Sequence, residues 1–385
     1  MKIGIVCFPT YGGSGAVAGE LARCLAMRDH EIHMISYALP FRLKSFTRNI
    51  VFHEVDTLSY PPFQWPPYVL SLASQIIDIS REYSLDLIHL HYAIPHTASA
   101  FLARCVMGKD APALITTLHG TDITLVGSHP SYYPITKFSI EQSDGITSVS
   151  QYLKNKTEEV FHIRKDIEVI YNFIDIERFS PRHAAPETGC CFSPHGEKLL
   201  LHISNFRPVK RTYDVLAIFE GVSREIDARL ILIGDGEERP GVLQKACELK
   251  LRDKVIFLGK QDNVEDLIPS ADLFLLPSAE ESFGLAALEA LSCGVPVIGT
   301  TRGGIPEVVE DGVSGYLHPL GAVQDMTKSA LRLLTDAQLM ASFRIKARER
   351  TVTHFDEKII ISRYEQFYEK IIDRTKQTVT TSERN

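Results

Sequence analysis

Short apolar runs alternate with longer amphipathic stretches along most of the chain. In the first half the apolar runs predict strands, and the amphipathic stretch over residues 15–28 predicts a helix. The strands are expected at residues 2–8, 31–36, 85–91, 113–118 and 145–149. Runs rich in Ile, Val and Leu, without a polar face, are typical of parallel strands that helices cover on both sides. The pattern therefore predicts a parallel sheet of the α/β class.

The same alternation resumes in the second half of the chain. Here the strands are expected at residues 198–204, 229–234, 254–258, 273–276 and 296–299. Between the halves, residues 179–197 are rich in Pro, His, Gly and Cys and show no periodicity, which predicts a hinge there. Apolar residues at helical spacing predict a final helix over residues 358–376. The pattern predicts two Rossmann-like domains followed by a terminal helix.

The length and the net charge of the chain limit the number of domains and the kinds of partner that we expect. A chain of 385 residues can form two domains that each bury a core. The net charge of −7 comes without a run of Lys and Arg, so we expect no nucleic acid and no membrane among its partners. No segment has the length of a membrane span or the pattern of a signal peptide, and we expect a cytoplasmic protein.

The cysteines indicate a reducing environment. They number seven, and no pair has the Cys-x-x-Cys spacing of a metal or redox motif. Most lie in apolar strand or helix patterns and are expected to be reduced core residues. The adjacent Cys190 and Cys191 lie in a loop-like segment, and a redox role for this pair stays open.

The segment with the most specific chemistry follows the apolar strand that ends at Pro277. It begins Ser278-Ala-Glu-Glu-Ser-Phe-Gly-Leu285, and its pattern predicts a strand, a loop and a helix. The backbone N–H groups of Phe283, Gly284 and Leu285 would lie at the start of that helix. Unpaired donors and the helix dipole favour an anion there, and a diphosphate has the right charge.

Two glutamates of this segment are candidates for binding a sugar nucleotide. Glu281 lies in the loop and Glu289 about two helical turns later, so one can face a sugar while the other faces a ribose. The alternative is that Glu281 caps the helix and Glu289 is a solvated helix residue. The following residues, which include Gly294-Val-Pro-Val297 and Gly303-Gly-Ile-Pro-Glu307, favour the first interpretation.

The Glu281-x7-Glu289 spacing and the two glycine-containing blocks resemble the retaining glycosyltransferases of family 4. The resemblance implies the GT-B fold, in which two Rossmann-like domains with parallel sheets face a central cleft. It implies an acceptor domain over residues 1–172, a nucleotide-sugar donor domain over residues 173–355, and a C-terminal helix over residues 356–385 that crosses back to the first domain.

The resemblance also implies the donor contacts. The family places an Arg and a Lys against the donor phosphates in the turn where this chain has Arg207 and Lys210. Two cations in a closed cleft would stabilise the charge on a leaving diphosphate; the alternative is a solvated basic turn. The expected donor-binding residues are Asn205, Arg207, Lys210, Glu281, Ser282, Phe283, Gly284, Leu285 and Glu289. Because the chain has no Asp-x-Asp triplet, we expect no cofactor and no metal requirement.

The first half should bind the acceptor. A glycine-rich turn over residues 10–15 follows the first strand and opens a helix, so its amides can bind an anion. Its spacing is not Gly-x-Gly-x-x-Gly, which disfavours an NAD site. Polar clusters at residues 89–96 and 116–122 end two further strands, where ligands of open parallel sheets bind.

Motifs spread over nearly the whole chain resemble the branch of family 4 that glycosylates L-malate in bacillithiol synthesis. They include Cys7-Phe-Pro-Thr-Tyr-Gly-Gly-Ser-Gly15, His91-Tyr-Ala-Ile-Pro-His96 and Tyr171-Asn-Phe-Ile-Asp175. The resemblance implies transfer of N-acetylglucosamine from UDP-N-acetylglucosamine to the 2-hydroxyl of L-malate, with retention. It implies acceptor contacts at Gly13, Ser14, Tyr92, Thr116, Thr117 and Asn172, with His119 near the reacting centre. Packing at strand ends is the alternative for Tyr92 and Thr116.

The expected catalytic residues are His119, Arg207, Lys210 and Glu281. Retention is expected through front-face attack, in which the departing phosphate takes the acceptor proton, since Glu281 is assigned to sugar hydroxyls and not to a covalent intermediate. The open alternatives are an inositol phosphate or lipid acceptor, a nucleotide-sugar hydrolase or epimerase, and a sensor without turnover. The sequence leaves a homo-oligomer open.

Overall fold

A computed structural model of the chain describes residues 1–10, 12–43, 46–57, 66–183 and 191–382. Tyr11 of the glycine-rich turn and Cys190 lie outside the described residues. The chain forms two compact units: the first comprises Met1–Asn172 and Lys358–Asn385, and the second comprises Phe173–Glu357.

The first unit is built on a parallel sheet of seven strands in the described residues, in the order β3-β2-β1-β4-β5-β6-β7. The strands are β1 Lys2–Val6, β2 Glu31–Ser36, β3 Ile50–Glu54, β4 Leu87–His91, β5 Ala113–Leu118, β6 Gly145–Ser148 and β7 Glu168–Val169. Its helices are α1 Gly13–Ala26, α2 Tyr68–Tyr83, α3 Ala98–Met107, α4 Tyr133–Gln142 and α5 Gln151–Phe161. Side chains on both faces of β1, β4 and β5 are buried, as expected for a sheet between two helix layers.

The second unit repeats this plan with a parallel sheet of six strands in the described residues, in the order β10-β9-β8-β11-β12-β13. Its strands are β8 Lys198–Ile203, β9 Ala228–Ile233, β10 Val255–Gly259, β11 Leu273–Leu276, β12 Val297–Thr300 and β13 Gly315–His318. Its helices are α6 Thr212–Glu225, α7 Arg239–Glu248, α8 Val264–Leu267, α9 Leu285–Ser292, α10 Ile305–Val308, α11 Val323–Thr335 and α12 Ala337–His354.

The last helix, α13 Glu357–Ser382, packs almost entirely on the first unit. Its Tyr368 hydroxyl lies 2.7 Å from His89 Nδ1 of β4, and its Glu365 accepts a hydrogen bond from Arg28 at 2.6 Å. At β6 a Cβ on Gly145 would lie 2.9 Å from the side chains of Phe367 and Ile371. The glycine therefore lets the helix approach the sheet closely, and the predicted return of the helix to the first domain is confirmed.

The α/β class with two parallel sheets is confirmed, while two details differ from the sequence prediction. Strands β3, β7 and β13 were not predicted because they are short, lie at sheet edges and are only partly buried. The hinge expected at residues 179–197 is wrong in position, since the described part of that segment belongs to the second unit. Arg348 of α12 holds the beginning of this segment in the second unit, because it donates hydrogen bonds to the carbonyls of Ile176 and Phe179.

In each sheet the strand order reverses once, between β1 and β4 and between β8 and β11. In open parallel sheets, the helices that follow the two strands at such a reversal cover opposite faces, and ligands bind beyond the carboxyl ends of those strands. The turns that follow β1, β4, β8 and β11 carry most of the predicted site residues, while Thr116, Thr117 and His119 lie at the end of β5 and Asn172 follows β7. No helix in the described part of the chain combines the length and hydropathy of a membrane span.

Candidate active site

The turn after β8 is fixed by a buried histidine. His202 Nδ1 lies 2.8 Å from the Leu275 carbonyl and its Nε2 lies 2.8 Å from Ser204 Oγ. Burial lowers the pKa of His202 to about 4, so the ring is neutral, donates through Nδ1 and accepts from Ser204. Ser204 Oγ in turn accepts from the N–H of Phe206, whose φ is 43°. These bonds set the path of the chain towards Arg207.

Two glycines in the loop after β9 allow this loop to lie against the turn after β8. A Cβ on Gly234 would lie 1.8 Å from the Ser204 carbonyl oxygen, and one on Gly236 would lie 2.0 Å from that of Asn205. Residues with a side chain are excluded at both positions. The side chains of Asn205 and Arg207 remain exposed at the surface of this turn.

The central contact of the second unit is the ion pair between Lys210 and Glu281. Lys210 Nζ lies 2.7 Å from Glu281 Oε1, and both side chains are mostly buried. Ser278 Oγ donates to the same carboxylate oxygen at 2.9 Å. The Ala279 N–H also donates to the Val209 carbonyl, which ties the loop after β11 to the turn after β8. The structure therefore brings the predicted Lys210 and Glu281 together.

The backbone of Glu281 is held by the glycine pair of the next loop. The N–H of Gly304 donates to the Glu281 carbonyl at 2.8 Å. A Cβ on Gly303, whose φ is +63°, would lie 2.1 Å from that carbonyl oxygen, and one on Gly304 would lie 2.6 Å from the Ser282 carbonyl oxygen. The Gly-Gly motif thus allows two backbone segments to touch.

Helix α9 begins where the sequence predicts an anion site. Gly284, with φ 104°, precedes Leu285 as the N-cap, so N–H groups of the first turn lack intrahelical acceptors. Phe283 is buried against the Phe355 ring, and Ser282 is half-buried. Glu289, about one turn into the helix, is 6% exposed, and its charge adds to burial in raising the pKa of Cys293.

In the first unit, the structure brings Ser14 and Tyr92 together. Ser14 Oγ lies 2.7 Å from the Tyr92 hydroxyl, next to Gly13 at the start of α1. Tyr92 follows β4 with φ 90° and ψ 134°, a region that non-glycine residues rarely adopt. The N–H of Tyr92 donates to the Thr117 carbonyl, which fixes this conformation. Burial raises the pKa of Tyr92 to about 12, so its hydroxyl stays protonated and can donate.

His119 lies beside this pair as a neutral base or hydrogen-bond donor. Its ring lies 5.2 Å from that of Tyr92 and stacks on His91, with Nε2 2.8 Å from His91 Nδ1. Burial, followed by the nearby His96, lowers the pKa of His119 to about 3. A neutral ring can hold a proton on one nitrogen only, so His119 can orient a hydroxyl without carrying charge.

Unlike the predicted acceptor residues Ser14 and Tyr92, Thr116 and Thr117 do not reach the surface. Both side chains are fully buried. The Thr116 hydroxyl lies 2.8 Å from Thr97 Oγ1 and 2.7 Å from Ser143 Oγ. The Thr117 hydroxyl lies 2.6 Å from both His89 Nε2 and Thr147 Oγ1. The Thr117 hydroxyl therefore links β5 to β4 and β6, and the Thr116 hydroxyl links β5 to the start of α3 and the end of α4.

Asn172 and Asp122 are two further buried polar residues near these strand ends. Asn172 is 7% exposed, and its Oδ1 accepts no hydrogen bond from the described residues. The Asp122 carboxylate accepts from the N–H groups of Ala93, His119 and Gly120. Burial outweighs these bonds and raises the pKa of Asp122 to about 6. Asp122 thus links the loops after β4 and β5.

A cavity of about 680 Å³ adjoins Tyr92, Thr10 and Asp122 in the first unit. Its remaining lining is mostly apolar and aromatic, from residues of α3, α4 and the loops beside them. The polar edge formed by Ser14 and the Tyr92 hydroxyl lies next to this apolar wall. A small anion is suited to the polar edge and not to the cavity interior.

The sequence analysis did not identify His202, Ser278, Gly234 and Gly236 as site-forming residues. His202 and Ser278 are polar residues at the ends of otherwise apolar strands, which was the available signal. The two glycines flank Asp235 directly after a predicted strand, a pattern typical of a tight turn.

Comparison with known families covers both halves of the chain. Residues 11–178 match the family described as Glycosyltransferase Family 4, and residues 192–350 match the one described as Glycosyl transferases group 1. The chain is 46% identical over 372 residues to the N-acetyl-alpha-D-glucosaminyl L-malate synthase of Bacillus anthracis, which covers 97% of each chain.

Solved structures share the fold at low sequence identity. A sucrose-phosphate synthase from Thermosynechococcus elongatus superposes with a TM-score of 0.81 and 18% identity, over 97% of this chain and 100% of that one. The Anabaena protein HepE, solved in complex with UDP and glucose, gives a TM-score of 0.79 and 21% identity, over 95% of this chain and 98% of that one. These likenesses support the two-sheet fold.

Proposed function

The chain belongs to glycosyltransferase family 4 and has its GT-B fold, and from that premise we propose that it glycosylates L-malate. In this proposal N-acetylglucosamine moves from UDP-N-acetylglucosamine to the 2-hydroxyl of L-malate with retention at the anomeric carbon, the first step of bacillithiol synthesis. The observation that carries the proposal is the 46% identity with the malate synthase of Bacillus anthracis over nearly the whole chain.

The second unit supports the donor half of the proposal. The N–H groups at the start of α9 would bind the diphosphate, and Glu281, held by Lys210 and Ser278, would accept hydrogen bonds from sugar hydroxyls. Asn205 and Arg207 lie on the turn that precedes Lys210. The Anabaena protein of the same fold was solved with UDP and glucose, which agrees with a uridine nucleotide sugar as donor.

Catalysis would consist of stabilising the leaving group. Arg207 and Lys210 would neutralise the charge that develops on the departing diphosphate, so that the proposal needs no metal. Retention would follow from attack on the face that the phosphate leaves, with a phosphate oxygen taking the proton of the malate hydroxyl. Glu281, bound to Lys210 and Ser278, would accept hydrogen bonds from the sugar and would not act as a nucleophile.

The first unit supports an anionic acceptor. Gly13 and Ser14 open α1, where unpaired N–H groups favour a carboxylate, and the Tyr92 hydroxyl adds a protonated donor. Asn172 offers a buried side-chain amide, and neutral His119 would orient the attacking hydroxyl. We leave Thr116 and Thr117 out of direct contact, because both side chains are fully buried.

The proposal is tested by incubating the protein with UDP-N-acetylglucosamine and EDTA, with and without L-malate. UDP release that depends on malate, together with a product of the mass of N-acetylglucosaminyl malate, is the expected result. Donor cleavage without malate would instead indicate a hydrolase or epimerase. No release under either condition would contradict the proposed acceptor and call for a panel of other acceptors, including inositol phosphates.

A further inference from the structure

Arg350 of α12 satisfies the carboxyl-terminal carbonyls of helix α10. Its Nε donates to the Val308 carbonyl at 2.6 Å, and its Nη2 donates to the Glu307 carbonyl at 2.8 Å. Its Nη1 lies 3.0 Å from Glu310 Oε2, and the Arg350 side chain is mostly buried. One guanidinium therefore contacts three acceptors at the end of one helical turn.

The other end of α10 touches the candidate donor site. Gly303 and Gly304 directly precede the helix, and Gly304 donates to the Glu281 carbonyl. The Glu281 carboxylate carries the Lys210 and Ser278 contacts. Arg350 is thus connected to Glu281 through a helix of only four residues and a two-glycine contact.

Such a short helix needs outside partners to persist. Its last carbonyls have no intrahelical donors, and a buried carbonyl without a partner destabilises the structure. A cation is also favoured at a helix carboxyl end by the helix dipole. The planar guanidinium can reach both carbonyls at once, whereas an ammonium is a single point charge.

We propose that Arg350 is a positioning residue for nucleotide-sugar binding, acting by fixing α10 and through it the Glu281 loop. This inference rests on the proposed function of the donor site. It extends that function to Arg350, whose hydrogen bonds go to none of the residues assigned to donor binding. When Arg350 is lost, the end of α10 loses its partners, Gly303 and Gly304 shift, and the Glu281 carboxylate leaves its place beside Lys210.

Arg344 on the same helix provides a matched control. Its Nη2 donates to the Ala271 carbonyl and to Asp272 Oδ1, each at 3.2 Å. These acceptors precede β11, at the opposite end of the strand from Ser278. Removing Arg344 therefore also takes a guanidinium from backbone and carboxylate partners, but it leaves the Glu281 loop untouched.

The test compares Arg350→Met, Arg350→Lys and Arg344→Met with the wild-type protein by calorimetric binding of UDP-N-acetylglucosamine and of UDP. We expect Arg350→Met to weaken UDP-N-acetylglucosamine binding about tenfold and UDP binding less than about threefold, because Glu281 faces the sugar. Arg350→Lys should recover part of the loss. Arg344→Met should bind both probes as the wild type does, even where its melting temperature falls.

Equal Kd values for Arg350→Met and Arg344→Met would overturn the inference, as would an equal loss for both probes in Arg350→Met. Where Arg350→Met does not fold, Arg350→Lys decides: a selective loss for the sugar nucleotide supports the inference, and wild-type binding overturns it. Wild-type protein that binds UDP-N-acetylglucosamine without glycosylating malate would contradict the proposed acceptor, while the Kd comparison would still decide the role of Arg350.

Discussion

At the scale of single residues, Glu281 concentrates the contacts of the candidate donor site. Its Oε1 accepts from Lys210 Nζ and Ser278 Oγ, and its backbone carbonyl accepts from Gly304. A carboxylate held by an ammonium and a hydroxyl on one oxygen is pre-oriented before any sugar binds. Such fixed groups stabilise a transition state more than mobile ones, because they need no reorganisation.

Replacing Glu281 by Ala should therefore reduce transfer by about 100-fold or more, through loss of the sugar contact and of the Lys210 partner. Ser278→Ala removes one neutral hydrogen bond and should cost less than about tenfold. Steady-state kinetics measures both, and melting curves verify that the variants fold. Wild-type protein incubated with donor should show no covalent sugar adduct by mass spectrometry; detection of one would contradict front-face retention.

At the scale of elements, the loop before α10 depends on a glycine whose substitution can be separated into two effects. Gly303 has φ +63°, and a Cβ there would lie 2.1 Å from the Glu281 carbonyl oxygen. Gly312 has a similar φ of +73°, but a Cβ there would meet nothing within 4 Å. The pair distinguishes backbone strain from steric displacement of the Glu281 loop.

Gly312→Ala should lower the free energy of unfolding by about 1 kcal/mol, the cost of a left-handed alanine, and leave kcat/KM unchanged. Gly303→Ala carries the same strain and also pushes the Glu281 backbone away, so its kcat/KM should fall more than about tenfold. Urea unfolding and steady-state kinetics on both variants measure these effects. A Gly303→Ala variant with wild-type kcat/KM would show that the contact is not needed for the site.

At the scale of the whole molecule, buried neutral histidines couple stability to pH. Burial lowers the pKa values of His89 and His119 to about 3 and those of His96 and His202 to about 4, and it lowers that of His91 as well. In the unfolded chain these rings take up protons near their ordinary pKa of 6.5. Their contribution to stability is therefore complete above that pH and is lost as the pH falls towards 4.

Asp122 has the opposite effect on the pH dependence of stability, because its pKa is about 6 in the folded protein and 3.8 in the unfolded chain. Between these two values, acid favours the folded state at this residue. The histidines outnumber it, and we expect net proton uptake on unfolding near pH 5, with each ring contributing about 1.4 kcal/mol per pH unit. Urea midpoints between about pH 7 and pH 5 should fall with acid, and less steeply in His202→Asn. A midpoint that is constant or rises with acid would contradict this account.

Those parts of the fold and the site that depend on local pattern could be predicted from the amino-acid sequence alone. Apolar runs predicted β2, β5 and β11 at the bounds the structure has, because strands buried on both faces are rich in apolar residues. The order of strand, loop and helix placed Phe283, Gly284 and Leu285 at a helix start. The types of residue in the loops, together with the family resemblance carried by the Glu-x7-Glu spacing, predicted the chemistry of a nucleotide sugar.

Which of these residues contact one another depends on the folded chain as a whole. Lys210 reaches Glu281 across 71 positions of the chain, and Arg350 reaches the carbonyl of Val308 across 42, so no local pattern contains either contact. The burial of Thr116 and Thr117 likewise depends on neighbouring elements and not on their own sequence. Short edge strands such as β3 and β13 form through pairing with strands already in place, because their own side chains bury too little apolar surface to specify them.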